Sequence, residues 1–419
     1  MSDDTIIDIR DLHDPQLTEL QKTVLEQAGA HPVAFTEEAV LEAAKAETGL
    51  SDFGDEDFRE RLRVWLRAID EDEGASAVTR INLFQMTVRY AATRLRLEDL
   101  IKRHPEILDI EIDRPIIVAG LPRSGTTHLL NLISADSRLR SLPWWEAIAP
   151  VPAPEDEVAP GETDPRWTRA AEGWQQQDAV LPYMKAMHEF SPDHVSEDIE
   201  LQAIDFSSYL IEWLAMVPRW RDYYLSHDQS GTYAYLKKAL QALTWLKGPN
   251  RWVLKCPQHM EQLPVLYKTF PDATFVITHR DPVASIQSAI TMSCYAARIL
   301  RKSVNADEQA EYWIDRYERL LQRCVRDRDL LPESQTLDVY FHELMSDTDT
   351  VLREIYRKAE LPLTDDALAE LHDFLDSHPR GKHGRVVYDL RRDFGLEPAD
   401  VRKRFDFYFE KFPVREEVK

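Results

Sequence analysis

Residues 115–134 read PIIVAGLPRSGTTHLLNLIS. The apolar run Ile116 to Ala119 has the length and composition of a buried strand, Gly120 to Gly125 form a tight turn, and Leu129, Leu130, Leu132 and Ile133 fall at helical spacing from Thr126 onward. Successive amide N–H groups in such a turn, with the positive end of the following helix, form a concave anion site. Arg123 adds a guanidinium fork, and Ser124, Thr126 and Thr127 add hydroxyl donors. The spacing of Gly120, Gly125 and Thr127 is nearly that of a nucleotide-binding P-loop. Thr126 departs from it, standing where that loop needs a lysine for the terminal phosphates.

The 419 residues suffice for a large core, most simply one α/β domain with a helical addition. With 51 Lys plus Arg against 74 Asp plus Glu, the net charge of −23 argues against a nucleic-acid surface, so a polyanionic ligand must be held by a local basic cluster. Cys256, Cys294 and Cys324 lack paired metal-ligand spacing and suit a reducing compartment. The opening MSDDTIIDIRD is acidic without an apolar core, and no apolar run approaches a membrane span, so a soluble cytoplasmic protein is expected.

Residues 1–113 read as a helical extension, with periodic segments at Leu17 to Gln27, Glu37 to Ala46, Asp57 to Ile69 and Ile81 to Ile101. Residues 114–419 read as a nucleotide-binding domain. The Pro- and acid-rich stretch Val151 to Asp164 is expected as an exposed loop. The aromatic-rich region to Trp245 is expected mostly as core, with an acceptor pocket or lid within 151–245 as the competing reading. Within it, MHEFSPDHVSEDIE gathers His188, His194 and several carboxylates without a metal-ligand pattern, and is taken as pocket-rim or surface polarity.

Residues 251–292 read as strand, crossover helix (Glu261 to Phe270) and strand, a βαβ unit. Arg280 then stands at a strand's carboxyl end, where ligands of open α/β sheets bind. Asp281 and Pro282 open a helix whose Ser285 and Ser288 share a face. Another strand is expected from Thr336 to Phe341. His378 to Glu397 is a basic, glycine-containing loop in an acidic protein.

The loop PRSGTT, with its charge on Arg123, resembles the sulfate-donor loop of sulfotransferases that use 3′-phosphoadenosine 5′-phosphosulfate (PAPS). Arg280 with Ser288 eight residues later is similar to the family's 3′-phosphate motif. Lys255, in an LKCP context like that of the tyrosylprotein and bacterial branches, lies where the family has a catalytic lysine. The fold implied is a P-loop-type parallel sheet flanked by helices, with an N-terminal helical extension. The resemblance puts donor binding on Arg123, Ser124, Gly125, Thr126, Thr127, His128, Arg280 and Ser288, and on Arg380, Gly381, Lys382 and Gly384 of the basic loop. His128 stands where many members have a tryptophan that stacks on adenine.

The implied reaction moves a sulfuryl group from PAPS to a hydroxyl or amine of a small, largely apolar or lipid-like acceptor, with no metal required. Arg123 and Lys255 would balance charge. Glu146, placed near the catalytic glutamate of the tyrosylprotein branch, is the first choice of base and His259 the second. A homodimer is left open. Two other readings compete: a P-loop small-molecule kinase using Mg-ATP, which wants the missing loop lysine, and a non-catalytic nucleotide-binding protein, which does not need Lys255 or Glu146.

Overall fold

The computed structural model describes residues 5–29, 33–159, 161–379 and 381–419. The N-terminal part holds four helices, α1 Glu19–Ala28, α2 Glu37–Thr48, α3 Phe58–Asp70 and α4 Ala77–Arg103. Three of them open on a hydroxyl that accepts from a first-turn amide: Thr18 from Gln21, Thr36 from Ala39 and Ser76 from Thr79. Each such cap satisfies a backbone donor that the helix itself cannot. Helix α4 starts earlier than its apolar periodicity suggests because Ser76 caps it.

The strands are β1 Ile6–Ile7, β2 Ile116–Gly120, β3 Leu139–Arg140, β4 Arg251–Lys255, β5 Thr274–His279, β6 Thr336–Tyr340 and β7 Arg385–Val386. Five form a parallel sheet in the order β3-β4-β2-β5-β6, while β1 pairs with β7. This is the expected fold class, with two corrections. Strands β4 and β5 do not pair directly, since β2 lies between them. The crossover is also not one helix: a 3-10 turn, Pro257–Glu261, precedes the helix Leu263–Thr269. Pro264 explains the break, because it lacks the amide that a continuous helix would need and fits only in a first turn.

All of β2 is buried, and its side chains alternate between two cores. Ile117 and Ala119 join the larger one with Val40, Trp65 and Leu95 of the N-terminal helices, whereas Ile116 and Val118 join Leu129, Leu132, Leu352 and Ile355 on the other face. Of the aromatic-rich region, Phe206, Tyr209, Trp220, Tyr224 and Tyr233 are buried in the larger core.

Gly120 ends β2 beside Thr278 of β5, and a Cβ there would lie 2.0 Å from the Thr278 hydroxyl oxygen and 2.8 Å from Thr126 Cγ2. Gly173, inside the helix Pro165–Val180, has no atom within 4 Å of such a Cβ. Opposite signs are therefore expected in thermal denaturation. Gly120→Ala should destabilise by about 1–3 kcal/mol through overpacking, and Gly173→Ala should stabilise by up to about 1 kcal/mol through helix propensity.

Candidate active site

After β2 the chain turns back on itself. The Leu121 carbonyl accepts from the Ser124 amide at 3.2 Å and its hydroxyl at 2.6 Å, and that hydroxyl lies 2.8 Å from the Thr278 hydroxyl of β5. Gly125, at φ 89°, precedes helix α5, Thr126–Ile133. Arg123 is also left-handed, at φ 67°, a conformation unfavourable for a residue with a side chain. Its neighbours hold it there: its carbonyl accepts from Arg280 Nη1 at 2.7 Å, its Nε donates to Ser288 Oγ at 3.0 Å, and its Nη1 donates to the Met187 carbonyl.

Arg280 follows β5, and Asp281 caps the helix Pro282–Leu300 by accepting from Val283 N–H at 3.0 Å. Besides the Arg123 carbonyl, the Arg280 guanidinium grips both carboxylate oxygens of Glu417 at 2.8 Å and stacks 3.9 Å from the Phe341 ring. One turn before Ser288, the buried Ser285 hydroxyl has no partner among the described residues.

Lys255 ends β4 opposite Val118 of β2. Its Nζ forms an ion pair with Glu197 and donates to Thr127 Oγ1 at 3.3 Å. Its backbone is gripped by the next residue along, the Lys255 amide donating to Asp198 Oδ1 at 3.0 Å and the Asp198 amide to the Lys255 carbonyl at 3.2 Å. Asp198 also faces His259 Nε2 at 3.1 Å, and the other ring nitrogen of His259 lies 2.9 Å from the Tyr233 hydroxyl. Burial pushes the Asp198 carboxyl up, but the His259 ring and the hydrogen bonds from His259 and Gln202 more than reverse it, leaving it lowered. The turn after Lys255 is fixed by Glu261, which with Glu212 encloses the buried Arg316 guanidinium.

Arg123, Thr127, Lys255, Arg280 and Ser288 thus meet at the carboxyl ends of three adjacent parallel strands. A sulfotransferase family model matches residues 115–366, from the residue before β2 into the helix Asp365–Ser377. The chain belongs to the sulfotransferase family. Among solved structures it is similar to sulfotransferase STF1 from Mycobacterium tuberculosis H37Rv, with 28% identity, a TM-score of 0.76, and 88% of this chain and 98% of that one covered. It is also similar to sulfotransferase STF9 from Mycobacterium avium, with 26% identity, a TM-score of 0.81, and 93% of this chain and all of that one covered. A search by sequence among curated proteins gives no match.

In this sulfotransferase the segment 187–198 is tied to the loop after β2 through Met187 and Arg123, and to the end of β4 through Glu197 and Asp198, which both contact Lys255. Burial, helped by the charges of His194, Lys255 and Arg123, holds the His188 ring well below the ordinary histidine range. Burial also pushes His194 down to about 4, with Lys255 and His378 acting in the same direction and Glu189 against it. Both rings are neutral near pH 7. The segment therefore adds no cation to a site already rich in them.

The basic loop faces this segment, with His383 Nε2 3.5 Å from Glu189, and Lys382 among the charges that lower the Glu189 carboxyl against the pull of burial. Gly381 and Gly384 both adopt positive φ, and a Cβ on Gly384 would meet Ile7 of β1 at 2.8 Å. Arg380 lies outside the described residues. His128 is half-buried on α5. Glu146 is 3% exposed, and its carboxylate pairs at 2.9 Å with Arg140, whose guanidinium stacks on Trp252. His259 is wholly buried between Asp198 and Tyr233.

The sequence reading did not single out Glu197, Glu189 or the carboxylate of Glu417. For Glu189 and Glu197 the signal in the sequence is the clustering of His188, His194 and acids in MHEFSPDHVSEDIE, while Glu417 carries none.

Proposed function

We propose that the protein transfers a sulfuryl group from PAPS to a hydroxyl or amine of a small organic acceptor. The observation that carries this reading is the convergence of Arg123, Thr127, Lys255, Arg280 and Ser288 around a left-handed loop at the carboxyl ends of β2, β4 and β5. Residues of this kind fit the donor. Gly120 and Gly125 keep side chains out of the cradle, and Ser285 offers a buried hydroxyl with no partner among the described residues.

When bound, PAPS supplies a sulfuryl group already activated on a phosphate. The chain's own part is positioning and charge stabilisation. The donor-loop amides with Ser124, Thr126 and Thr127 hold the 5′ side. Arg280 and Ser288 would hold the 3′-phosphate, and Gly381, Lys382 and Gly384 of the basic loop would contribute to nucleotide binding. Lys255 and Arg123 would supply the positive charge that stabilises the oxygen on which charge develops. Trp144 and Phe190, whose rings lie 6.1 Å apart with His188 against Phe190 at 4.4 Å, suit an acceptor with an apolar body.

Calorimetric titration in EDTA separates this reading from a kinase. Binding of 3′,5′-adenosine bisphosphate is expected, with ADP at least about 30-fold weaker for want of a 3′-phosphate on Arg280. ADP binding that is restored by magnesium and exceeds that of the bisphosphate would favour the kinase.

A further inference from the structure

After the helix Asp406–Lys411 the chain runs on to Lys419 in neither helix nor strand. Residues 413–419 read PVREEVK; Arg415, Glu416 and Glu417 are exposed, while Val414 and Val418 are partly buried against the larger core. The tip of this tail is held chiefly by two consecutive residues. The Glu417 carboxylate takes Nε and Nη2 of Arg280 at 2.8 Å each, and the Glu417 and Val418 amides donate to Oδ2 of Asp281 at 2.8 and 3.3 Å. Arg402 donates to the same Asp281 oxygen at 3.0 Å and to the Val418 carbonyl, and Arg391 donates to the Lys419 carbonyl at 2.8 Å.

We propose that residues 413–419 form a displaceable strap that sets the carboxylate of Glu417 in the place of the nucleotide's 3′-phosphate, so that donor and spent nucleotide bind by exchanging with it. The inference rests on the PAPS reading of the site, in which Arg280 holds that phosphate. The carboxylate resembles the ligand where it matters, being anionic and bidentate on the guanidinium, as two phosphate oxygens would be. Little of the fork is left for a second anion. A third donor, Arg280 Nη1, goes to the Arg123 carbonyl, and the guanidinium lies 3.9 Å from the Phe341 ring. A phosphate that shared Arg280 with Glu417 would stand beside a like charge, which favours moving the carboxylate out.

The tail is suited to that movement. It belongs to no helix or strand, and the Arg280 and Glu417 side chains are 20% and 30% exposed, a setting in which ion pairs are weak. A phosphate monoester carries close to two negative charges at neutral pH, so it outcompetes a single carboxylate for the same fork. A carboxylate that merely aligned Arg280 for its ligand would have the reverse effect, since its loss would weaken binding.

Glu417→Gln distinguishes the two roles. Calorimetry should show 3′,5′-adenosine bisphosphate bound about 3- to 10-fold tighter than by wild type, with adenosine 5′-monophosphate, which lacks the 3′-phosphate, unchanged within about 2-fold. Glu416→Gln removes the same charge from the neighbouring residue, whose carboxylate lies 3.5 Å from Arg402 instead, and should leave both affinities within about 2-fold of wild type. Hydrogen exchange reads the displacement itself. In wild type the amides of residues 414–419 should exchange at least about 5-fold faster under saturating bisphosphate than under saturating monophosphate, because the bonds from Glu417 and Val418 to Asp281 open. Unchanged or weaker binding of the bisphosphate by Glu417→Gln would make Glu417 a bystander or a support of Arg280. Equal tightening of both nucleotides, or by both variants, would make it general charge, and exchange no faster under the bisphosphate would leave the tail in place; each overturns the proposal. A wild-type protein that does not bind 3′,5′-adenosine bisphosphate would instead remove the PAPS reading beneath it.

Discussion

Lys255→Met should lower the rate of 3′,5′-adenosine bisphosphate release from saturating PAPS by roughly 100- to 1000-fold, the usual effect of removing one preorganised donor aimed at developing charge. Three features make the effect large. The amine is 2% exposed, so its charge acts in a medium that screens it poorly. Its backbone is clamped on both sides by Asp198, and the following turn is pinned through Glu261 to Arg316, so the amine is held in a fixed place. Its stem also fills a place at the end of β4, which methionine keeps filled, so the loss is one of charge rather than packing. Affinity for the product nucleotide should fall by much less, because Arg123, Arg280 and the loop amides remain. Arginine is not an equivalent here: its planar fork cannot place a single point charge between Glu197 and Thr127. A Lys255→Met rate within 10-fold of wild type would show that the amine does not face the leaving oxygen.

The strand, loop and helix of residues 115–134 were legible because a strand buried on both faces must be apolar throughout, and because Gly120 and Gly125 mark places that a side chain cannot enter. Arg280 and Lys255 were legible for a related reason. Lys255 closes one short, largely apolar strand and Arg280 directly follows another, and the ends of parallel strands are where such sheets bind ligands. What pairs with them was not legible. The partner of Lys255 is 58 residues away and that of Arg280 is 137 away, and neither carboxylate has a local pattern that distinguishes it from the many other acids of this chain. The break in the crossover is a different case, since Pro264 stands in plain view in the sequence while the apolar spacing runs on through it. For Glu146, distance from the donor loop was the guide, whereas its ion pair with Arg140 depends on how β3 returns towards the sheet.

Arg280→Ala should weaken binding of 3′,5′-adenosine bisphosphate by roughly 30- to 1000-fold, the effect of losing a charge-assisted and bidentate contact worth on the order of 2–4 kcal/mol. The structure adds two terms to that figure, of opposite sign. Without ligand, Arg280 is already bidentate to Glu417, so wild-type binding exchanges one carboxylate for a phosphate rather than filling a free fork, which reduces the loss. Arg280 also donates to the carbonyl of Arg123, the residue held in the left-handed region, so its removal loosens the donor loop and increases the loss. A pair of measurements separates them. Adenosine 5′-monophosphate lacks the 3′-phosphate, so any weakening of its binding by Arg280→Ala reports the loop alone, expected at no more than about 5-fold for one hydrogen bond. In the double variant Arg280→Ala with Glu417→Gln, the anion that the single variant leaves beside the phosphate is gone, and affinity for the bisphosphate should recover by about 3- to 10-fold. Equal losses for the two nucleotides would place Arg280 in support of the loop, and the 3′-phosphate would then be held by other residues.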